Sequence, residues 1–348
     1  MVSPLSVSII GASGYTGEEL VYLLSQHPKI NIDTLTSRKH VGKTVHQIIP
    51  KTRNRIPEIL FSDPEPEILA QSSSDLFFLA LPHGIASHYA IPLIKAGKTV
   101  IDLSADYRLF SNQTYFDYYG IKHPDPQILT KVPYGLAERA SIEAIKEASL
   151  IACPGCYPTS ILLPLLPLVE NKLVNTNNIV INSFSGLSGA GKKNTESLLY
   201  SECSENATAY GTTNHRHLSE IEEQLFLQSG SNEKIVLQFT PHLAPMKRGI
   251  LSTIVLPLAE GNTLQSIYET WYKCYGNKPF VCILPSGSYP QTKYISGTNR
   301  IDFSGHYDPR TNNLIITSAI DNLVKGAGGQ GIQIMNIKYG FHETDGLL

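Results

Sequence analysis

The chain has 348 residues, 42% of them hydrophobic and 17% charged, with a formal net charge of -2. That length suggests about two domains, and the balance is that of a globular chain with ample core rather than a disordered one. Near-neutral charge excludes a sequence-wide basic field for nucleic acid or anionic lipid, and 26 glycines with 22 prolines spread along the chain exclude a coiled coil. The longest apolar run, Ile161 to Val169, holds two prolines and falls short of the roughly 18 residues a membrane helix needs. The first basic residue is Lys29, so neither a signal peptide nor a transit helix is expected. Five cysteines, an odd and small number, point away from a disulfide framework and toward a reducing, cytoplasmic setting.

In chain order, Leu5 to Ile10 reads as a strand running into glycines, Gly14 to His27 as a helix, and Ile30 to Thr36 as a strand with alternating apolar positions. Asp75 to Leu81 is a continuous apolar run of strand length, as expected for a strand buried on both faces. His83 to Ala96 reads as helix and Lys98 to Leu103 as strand. This alternation predicts a parallel α/β sheet with crossover helices, a Rossmann-type nucleotide-binding domain. After about residue 150 longer strands appear: Asn178 to Phe184, Lys234 to Thr240, Ile250 to Leu258, Arg300 to Tyr307 and Leu314 to Ile320. Long helices intervene, one starting near Ser219 and another from Thr263 to about Tyr275, where Leu264, Ile267, Tyr268 and Trp271 form a core-facing stripe. An α+β second domain with a mixed or antiparallel sheet follows. The domain expectation is residues 1–150 for the first, completed by a C-terminal helix within 326–348, and 151–325 for the second.

The loop Gly11-Ala12-Ser13-Gly14-Tyr15-Thr16-Gly17 sits at the first strand-to-helix junction. Glycines there let main-chain N–H groups approach a pyrophosphate, and the following helix aims its positive end at it. Gly17 shares a helical face with Leu20, Val21 and Leu24, where the helix packs on the sheet. A tight turn with no ligand is the competing reading. At the end of the second strand, where an NAD site carries an acid, the chain reads Thr36-Ser37-Arg38-Lys39, and Asp33 lies mid-strand. A hydroxyl and two cations suit a 2′-phosphate, which points to NADP over NAD; a solvated basic turn is the alternative.

Cys153-Pro154-Gly155-Cys156 precedes an apolar helix from Ser160 to Val169. Cys156 at a helix start has the setting of a thiolate nucleophile, and Pro158 suits a first turn. A Cys153–Cys156 dithiol and a purely structural cysteine remain open, while a zinc site lacks a second pair of ligands. His215-Arg216-His217 lies at the start of a predicted helix and offers a base, a metal pair or packing histidines.

A nicotinamide loop, a helix-capping cysteine and a later histidine form the constellation of acyl-phosphate reductases that work through a thioester. The chain resembles the N-acetyl-gamma-glutamyl-phosphate reductase family of arginine biosynthesis from end to end. The resemblance rests on GASGYTG at 11–17, DLSADYRL at 102–109, PGCYPT at 154–159, SGLSGAGK at 185–192, HRHLSEI at 215–221, HLAPMKRGI at 242–250 and DNLVKGAGGQ at 321–330. It implies a glyceraldehyde-3-phosphate dehydrogenase-like architecture, NADP(H) as cofactor, no metal, a small acyl phosphate as substrate, no nucleic acid or membrane partner, and a homo-oligomer, dimer or tetramer. By the same resemblance Cys156 is the nucleophile and His217 the acid/base. Arg108 faces the substrate, Gly186, Ser188 and Gly189 line the cofactor, and Asn322 holds the nicotinamide amide. Ser219 stands where the family usually has proline, and Gly329 and Gly331 stand where alanines are common. Related substrates kept in view are a carrier-linked aminoadipyl phosphate and aspartyl phosphate; a nonenzymatic NADP-binding sensor and a dithiol oxidoreductase are the readings from other classes.

Overall fold

The computed structural model describes residues 3–192, 194–230 and 232–348. The chain forms two compact units, Met1–Pro154 with Ala327–Leu348, and Gly155–Gly326.

The first unit holds six strands: β1 (Leu5–Ile10), β2 (Ile30–Thr36), β3 (Phe61–Ser62), β4 (Leu76–Leu79), β5 (Thr99–Asp102) and β6 (Leu150–Ala152). They form one sheet in the order β3-β2-β1-β4-β5-β6, and every pairing is parallel. That order is the doubly wound nucleotide-binding arrangement, with its switch point between β1 and β4. β4 reads Leu-Phe-Phe-Leu and all four residues are buried, as a central parallel strand covered on both faces requires. Helices Tyr15–Leu24 and Ala86–Lys95 follow β1 and β4. The C-terminal helix Gly329–Tyr339 belongs to this unit. It is held there by His27 Nε2 to Asn336 Oδ1 at 2.9 Å, Gln333 Nε2 to Glu138 Oε1 at 2.8 Å, and Lys338 Nζ donating to the carbonyls of Lys146 and Ala148.

The second unit holds β7 (Ile179–Gly186), β8 (Thr208–Ala209), β9 (Leu237–Ala244), β10 (Ile250–Pro257), β11 (Val281–Ile283), β12 (Ile301–Asp308) and β13 (Asn313–Ile320). They form a mixed sheet in the order β11-β12-β13-β10-β7-β9-β8. β12, β13, β10 and β7 pair antiparallel, while β7–β9 and β11–β12 pair parallel. β10 alternates strictly, with Ile250, Ser252, Ile254 and Leu256 buried and Leu251, Thr253 and Val255 half-buried. The helices Cys156–Glu170, Arg216–Ser229 and Leu264–Tyr275 pack against this sheet.

Several boundaries differ from the sequence reading: the cysteine helix, expected from Ser160, begins at Cys156, and the helix read from His83 begins at Ala86. The second long strand of the chain's second half, expected over Lys234 to Thr240, was to stop before Pro241, but β9 runs Leu237–Ala244 through it. Proline lacks an N–H, yet the neighbour on that side, β8, is two residues long, so the ladder makes little demand there. The helix expected near Ser219 begins at Arg216, because His215 caps it through its ring: Nδ1 accepts the N–H of His217 at 3.1 Å.

The helix Cys156–Glu170 carries Pro164 and Pro167 in its interior and is buried from Tyr157 to Val169. Each internal proline strips a hydrogen bond from the carbonyl four residues earlier, here Ser160 and Leu163. Both are met by side chains from other elements. Ser318 Oγ of β13 donates to Ser160 O at 2.6 Å, and Tyr275 Oη donates to Leu163 O at 2.6 Å. Trp271 Nε1 donates to Pro164 O at 2.8 Å. The apolar stripe of the helix Leu264–Tyr275 is therefore core, as expected, and also a row of donors.

Tyr275→Phe removes the donor to a fully buried carbonyl while keeping the ring. It should lower unfolding free energy by about 1–3 kcal/mol, read as a shifted urea midpoint at constant slope. Tyr272→Phe, at an exposed position, is the control and should fall within about 0.5 kcal/mol of wild type. Equal effects at the two sites would contradict the assignment.

Candidate active site

The glycine loop is built by close backbone approach. Gly11 has φ +83°, and a Cβ there would lie 2.5 Å from the carbonyl oxygen of Ala80 just past β4. A Cβ on Gly17 would lie 2.4 Å from Gly11 O. The loop is strapped to the end of β2 by Gly11 N–H to Thr36 Oγ1 at 3.2 Å and Ala12 N–H to Thr36 O at 3.0 Å. Gly14 is the N-cap of helix Tyr15–Leu24 and brings no side-chain cap, so that helix start is suited to an anion at the β1/β4 switch point. This cradle fits a dinucleotide.

Ser37 and Arg38 follow β2 at the same edge. Ser37 Oγ and Ser13 Oγ are 2.7 Å apart, Arg38 is exposed, and its Nη2 donates to Tyr89 Oη at 3.3 Å. Asp33 lies within β2, where its Oδ2 accepts from Ser74 Oγ at 2.6 Å. The strand tip thus presents hydroxyls and a guanidinium and no carboxylate from that strand.

Cys156 is the first residue of its helix, half-buried, with Gly155 as an extended N-cap that has no side chain of its own to cap with. Gly155 is held from both ends. Its N–H donates to Glu220 Oε1 at 2.8 Å, and its carbonyl accepts Thr159 N–H and Thr159 Oγ1, both at 2.9 Å. Cys153, by contrast, is fully buried with Sγ 3.7 Å from Ala327 O. Of the two thiols, Cys156 has the helix-start setting that stabilises a thiolate.

The two histidines differ in kind. His215 is the cap described above. Its ring sits 5.5 Å from Tyr157 and Tyr210 and 5.4 Å from Phe239, centroid to centroid. Burial, then the neighbouring Arg216 charge, pushes its pKa down to about 4, so it is neutral near pH 7. Since Nδ1 accepts a hydrogen bond, Nε2 carries the proton. His217 follows in the first turn, its ring 5.8 Å from that of Tyr157, the residue after Cys156. Tyr157 Oη and Tyr210 Oη are 3.0 Å apart. Burial raises both phenols, Tyr210 to about 12, so both stay protonated. Among the described residues no group of three or more His, Cys, Asp or Glu side chains is placed to hold a metal ion.

Arg108 is buried. Its Nε donates to Cys153 O and its Nη2 to Leu103 O, both at 2.8 Å. One donor therefore ties the loop after β5 to the end of β6 and the other closes that loop on itself, a bond set that its expected role toward substrate did not include. Asn322 is likewise committed to the chain: Oδ1 accepts Gly249 N–H at 2.7 Å and Nδ2 donates to Ser188 Oγ at 3.0 Å. Gly186 packs on the backbone of Arg248, where a Cβ would come within 2.6 Å, and a Cβ on Gly189 would lie 2.6 Å from Ser185 Oγ.

Three features had no individual signal in the sequence. Glu220 reaches Gly155 across two helices. Gly326 lies so close to Cys156 that a Cβ there would be 2.7 Å from Cys156 Cβ. Asp321, fully buried, accepts the N–H groups of Gly297, Leu323 and Val324 and pairs with Arg248 Nε at 2.7 Å. Each joins positions distant in the chain, so only the fold reveals the pair.

The depressed pKa of His215 has a signed consequence for stability. Between its ordinary 6.5 and about 4, the unfolded chain takes up a proton that the folded chain refuses. The stabilisation is complete above pH 6.5 and is lost as pH falls through that window. His27 and His123, also pushed down by burial, act in the same direction. His215→Asn keeps a capping acceptor and does not titrate, so its Tm should fall less than wild type's between pH 6.5 and 4. An unchanged pH dependence would contradict the cap.

Comparison with known proteins gives the family and the fold. Residues 6–148 match the family model of the semialdehyde dehydrogenase NAD binding domain, and residues 156–322 match that of the semialdehyde dehydrogenase dimerisation domain. The chain is 44% identical to an N-acetyl-gamma-glutamyl-phosphate reductase of Akkermansia muciniphila, covering 99% of this chain and 98% of the relative. It is 44% identical to another of that name from Halothermothrix orenii, again over 99% and 98%. Among solved structures, aspartate semialdehyde dehydrogenase II of Vibrio cholerae superposes with a TM-score of 0.73 at 17% identity, over 97% of this chain and 99% of that one. The Candida albicans aspartate semialdehyde dehydrogenase with NADP gives 0.66 at 18% identity, over 96% and 98%; these two likenesses concern the fold. With a Rossmann-type unit, a semialdehyde dehydrogenase second unit and near full-length identity to named relatives, the chain belongs to the N-acetyl-gamma-glutamyl-phosphate reductase family.

Proposed function

We propose that the protein reduces N-acetyl-L-glutamyl 5-phosphate with NADPH to N-acetyl-L-glutamate 5-semialdehyde and phosphate, a step of arginine biosynthesis, through a thioester on Cys156. The observation that carries this reading is the half-buried thiol at the first position of a buried helix, on which a second helix with His217 in its first turn is packed.

In this reading Cys156 attacks as a thiolate. The C–S bond forms, the C–O bond to phosphate breaks, and phosphate leaves with its electron pair. When bound, NADPH supplies the hydride that converts the thioester to a thiohemiacetal. His217 protonates the developing oxyanion and takes that proton back as the thiohemiacetal collapses to aldehyde, which returns Cys156 to the thiolate. Main-chain N–H groups at the start of the cysteine helix are the oxyanion donors. The loop Gly11, Ser13, Gly14, Tyr15, Thr16 and Gly17 holds the pyrophosphate, and Ser37 with Arg38 holds the 2′-phosphate. Gly186, Ser188, Gly189 and Asn322 shape the nicotinamide end. Arg108 binds substrate. No metal enters, and free buried or half-buried thiols accord with a cytoplasmic location.

The proposed homo-oligomer is formed through the open face of the second sheet. There Phe184 and Leu251 lie in one cross-strand row and Val180, Val255 and Ile315 in another, with the row Asn182, Thr253 and Thr317 between them, a partly exposed face of the kind that packs sheet on sheet. The matched family model for residues 156–322 is described as a dimerisation domain.

Three outcomes test these assignments. Run in reverse with NADP and phosphate, the protein should oxidise N-acetylglutamate semialdehyde in preference to aspartate semialdehyde and carrier-linked aminoadipate semialdehyde. NADPH formation that does not require phosphate would contradict the acyl-phosphate route, and preference for the carrier-linked aldehyde would move the enzyme to lysine synthesis. Arg38→Ala should weaken NADPH about ten-fold or more, since a charge-assisted bond is worth roughly 1.5–3 kcal/mol, and leave NADH nearly unchanged; equal weakening would remove Arg38 from the 2′-phosphate site. Leu251→Asp should shift sedimentation toward the monomer, and an unaltered oligomer would place the interface elsewhere.

A further inference from the structure

A helix start needs acceptors for its free N–H groups, and Gly155 has no side chain to supply one. The acceptor comes instead from Glu220, one turn on from His217 in the helix Arg216–Ser229. Glu220 is 1% exposed, and its Oε1 sits 2.8 Å from Gly155 N. A carboxylate taken out of water at that depth is costly unless it is hydrogen-bonded, and a main-chain N–H to a carboxylate is among the stronger bonds available. The bond joins the residue before Cys156 to the helix that bears His217. With the Gly155 carbonyl pinned by Thr159 and the backbone of Gly326 against the Cys156 side chain, the nucleophile is framed on three sides.

We propose that Glu220 is a positioning residue: by accepting the Gly155 N–H it sets the register between the cysteine helix and the histidine helix, and hence the geometry of Cys156 with respect to His217. It touches neither substrate nor cofactor in this role. The inference rests on the reading of Cys156 as nucleophile. Small displacements of a reacting group cost rate steeply, about 10²-fold for roughly 1 Å, so a lost register should appear in kcat.

The acceptor oxygen, rather than the charge, is what the proposal requires, and the variants separate the two. Glu220→Gln keeps an oxygen at the same reach and should retain kcat within about three-fold. Glu220→Ala should lose ten-fold or more in kcat with the KM for the aldehyde and the Kd for NADPH little changed. It should also alter the iodoacetamide rate of Cys156, followed by mass spectrometry. Glu220→Asp, shorter by one methylene, should fall with Ala rather than with Gln, and it decides the matter if Glu220→Ala does not fold. A Gln variant as impaired as Asp, or an Asp or Ala variant with wild-type kcat, would overturn the proposal. Cys156→Ser run alongside keeps the premise separate: retained turnover there would overturn the nucleophile and leave the Glu220 bond a purely structural one.

Discussion

The helix Cys156–Glu170 is buried from its second residue to its penultimate one, and this burial governs what surrounds it. A helix enclosed in this way must have every backbone group satisfied by protein. Its two internal prolines make the requirement harder, and Ser318 and Tyr275 meet it from a strand and a helix far along the chain. The only place such a helix can present chemistry is its end. There the free N–H groups and the dipole favour negative charge, and the residue placed at that end is a cysteine.

The other helix start at issue obeys the same physics with different partners. At the glycine loop, the absence of Cβ atoms at Gly11 and Gly17 lets backbone meet backbone at distances no side chain would allow, and the helix Tyr15–Leu24 begins without a side-chain cap. In the second unit, the cysteine helix has its start capped from outside by Glu220. One start has no side-chain cap and is suited to an anion; the other is tied by Glu220 to a neighbouring helix. His215 solves a third case, capping its own helix with a neutral imidazole.

Much of this was legible in the chain. The parallel sheet followed from short apolar runs alternating with helical periods, and β1 and β2 coincide with the runs read from Leu5 and Ile30. The glycine loop and Cys156 were legible because glycine spacing and a cysteine before an apolar helix are local signals. The histidine helix start was read only to within a few residues, near Ser219 or at His215–His217, because a histidine cap carries no distinctive composition, and β9 was cut short because Pro241 reads as a stop until one sees how little strand lies beside it. Glu220, Gly326 and the Asp321–Arg248 pair act at long range, so their partners exist only in the fold. Arg108 and Asn322 were expected to face ligands, and the structure adds the main-chain bonds each makes first.

The proposed reaction turns on one covalent event at one sulfur. The protein should be mixed with N-acetylglutamate semialdehyde and NADP in the absence of phosphate, quenched in acid, digested and examined by mass spectrometry. An N-acetylglutamyl group should appear on the peptide bearing Cys156 and vanish when phosphate is added before the quench. An adduct on Cys153, or reduced cofactor formed with no acyl group on either cysteine, would contradict the central claim.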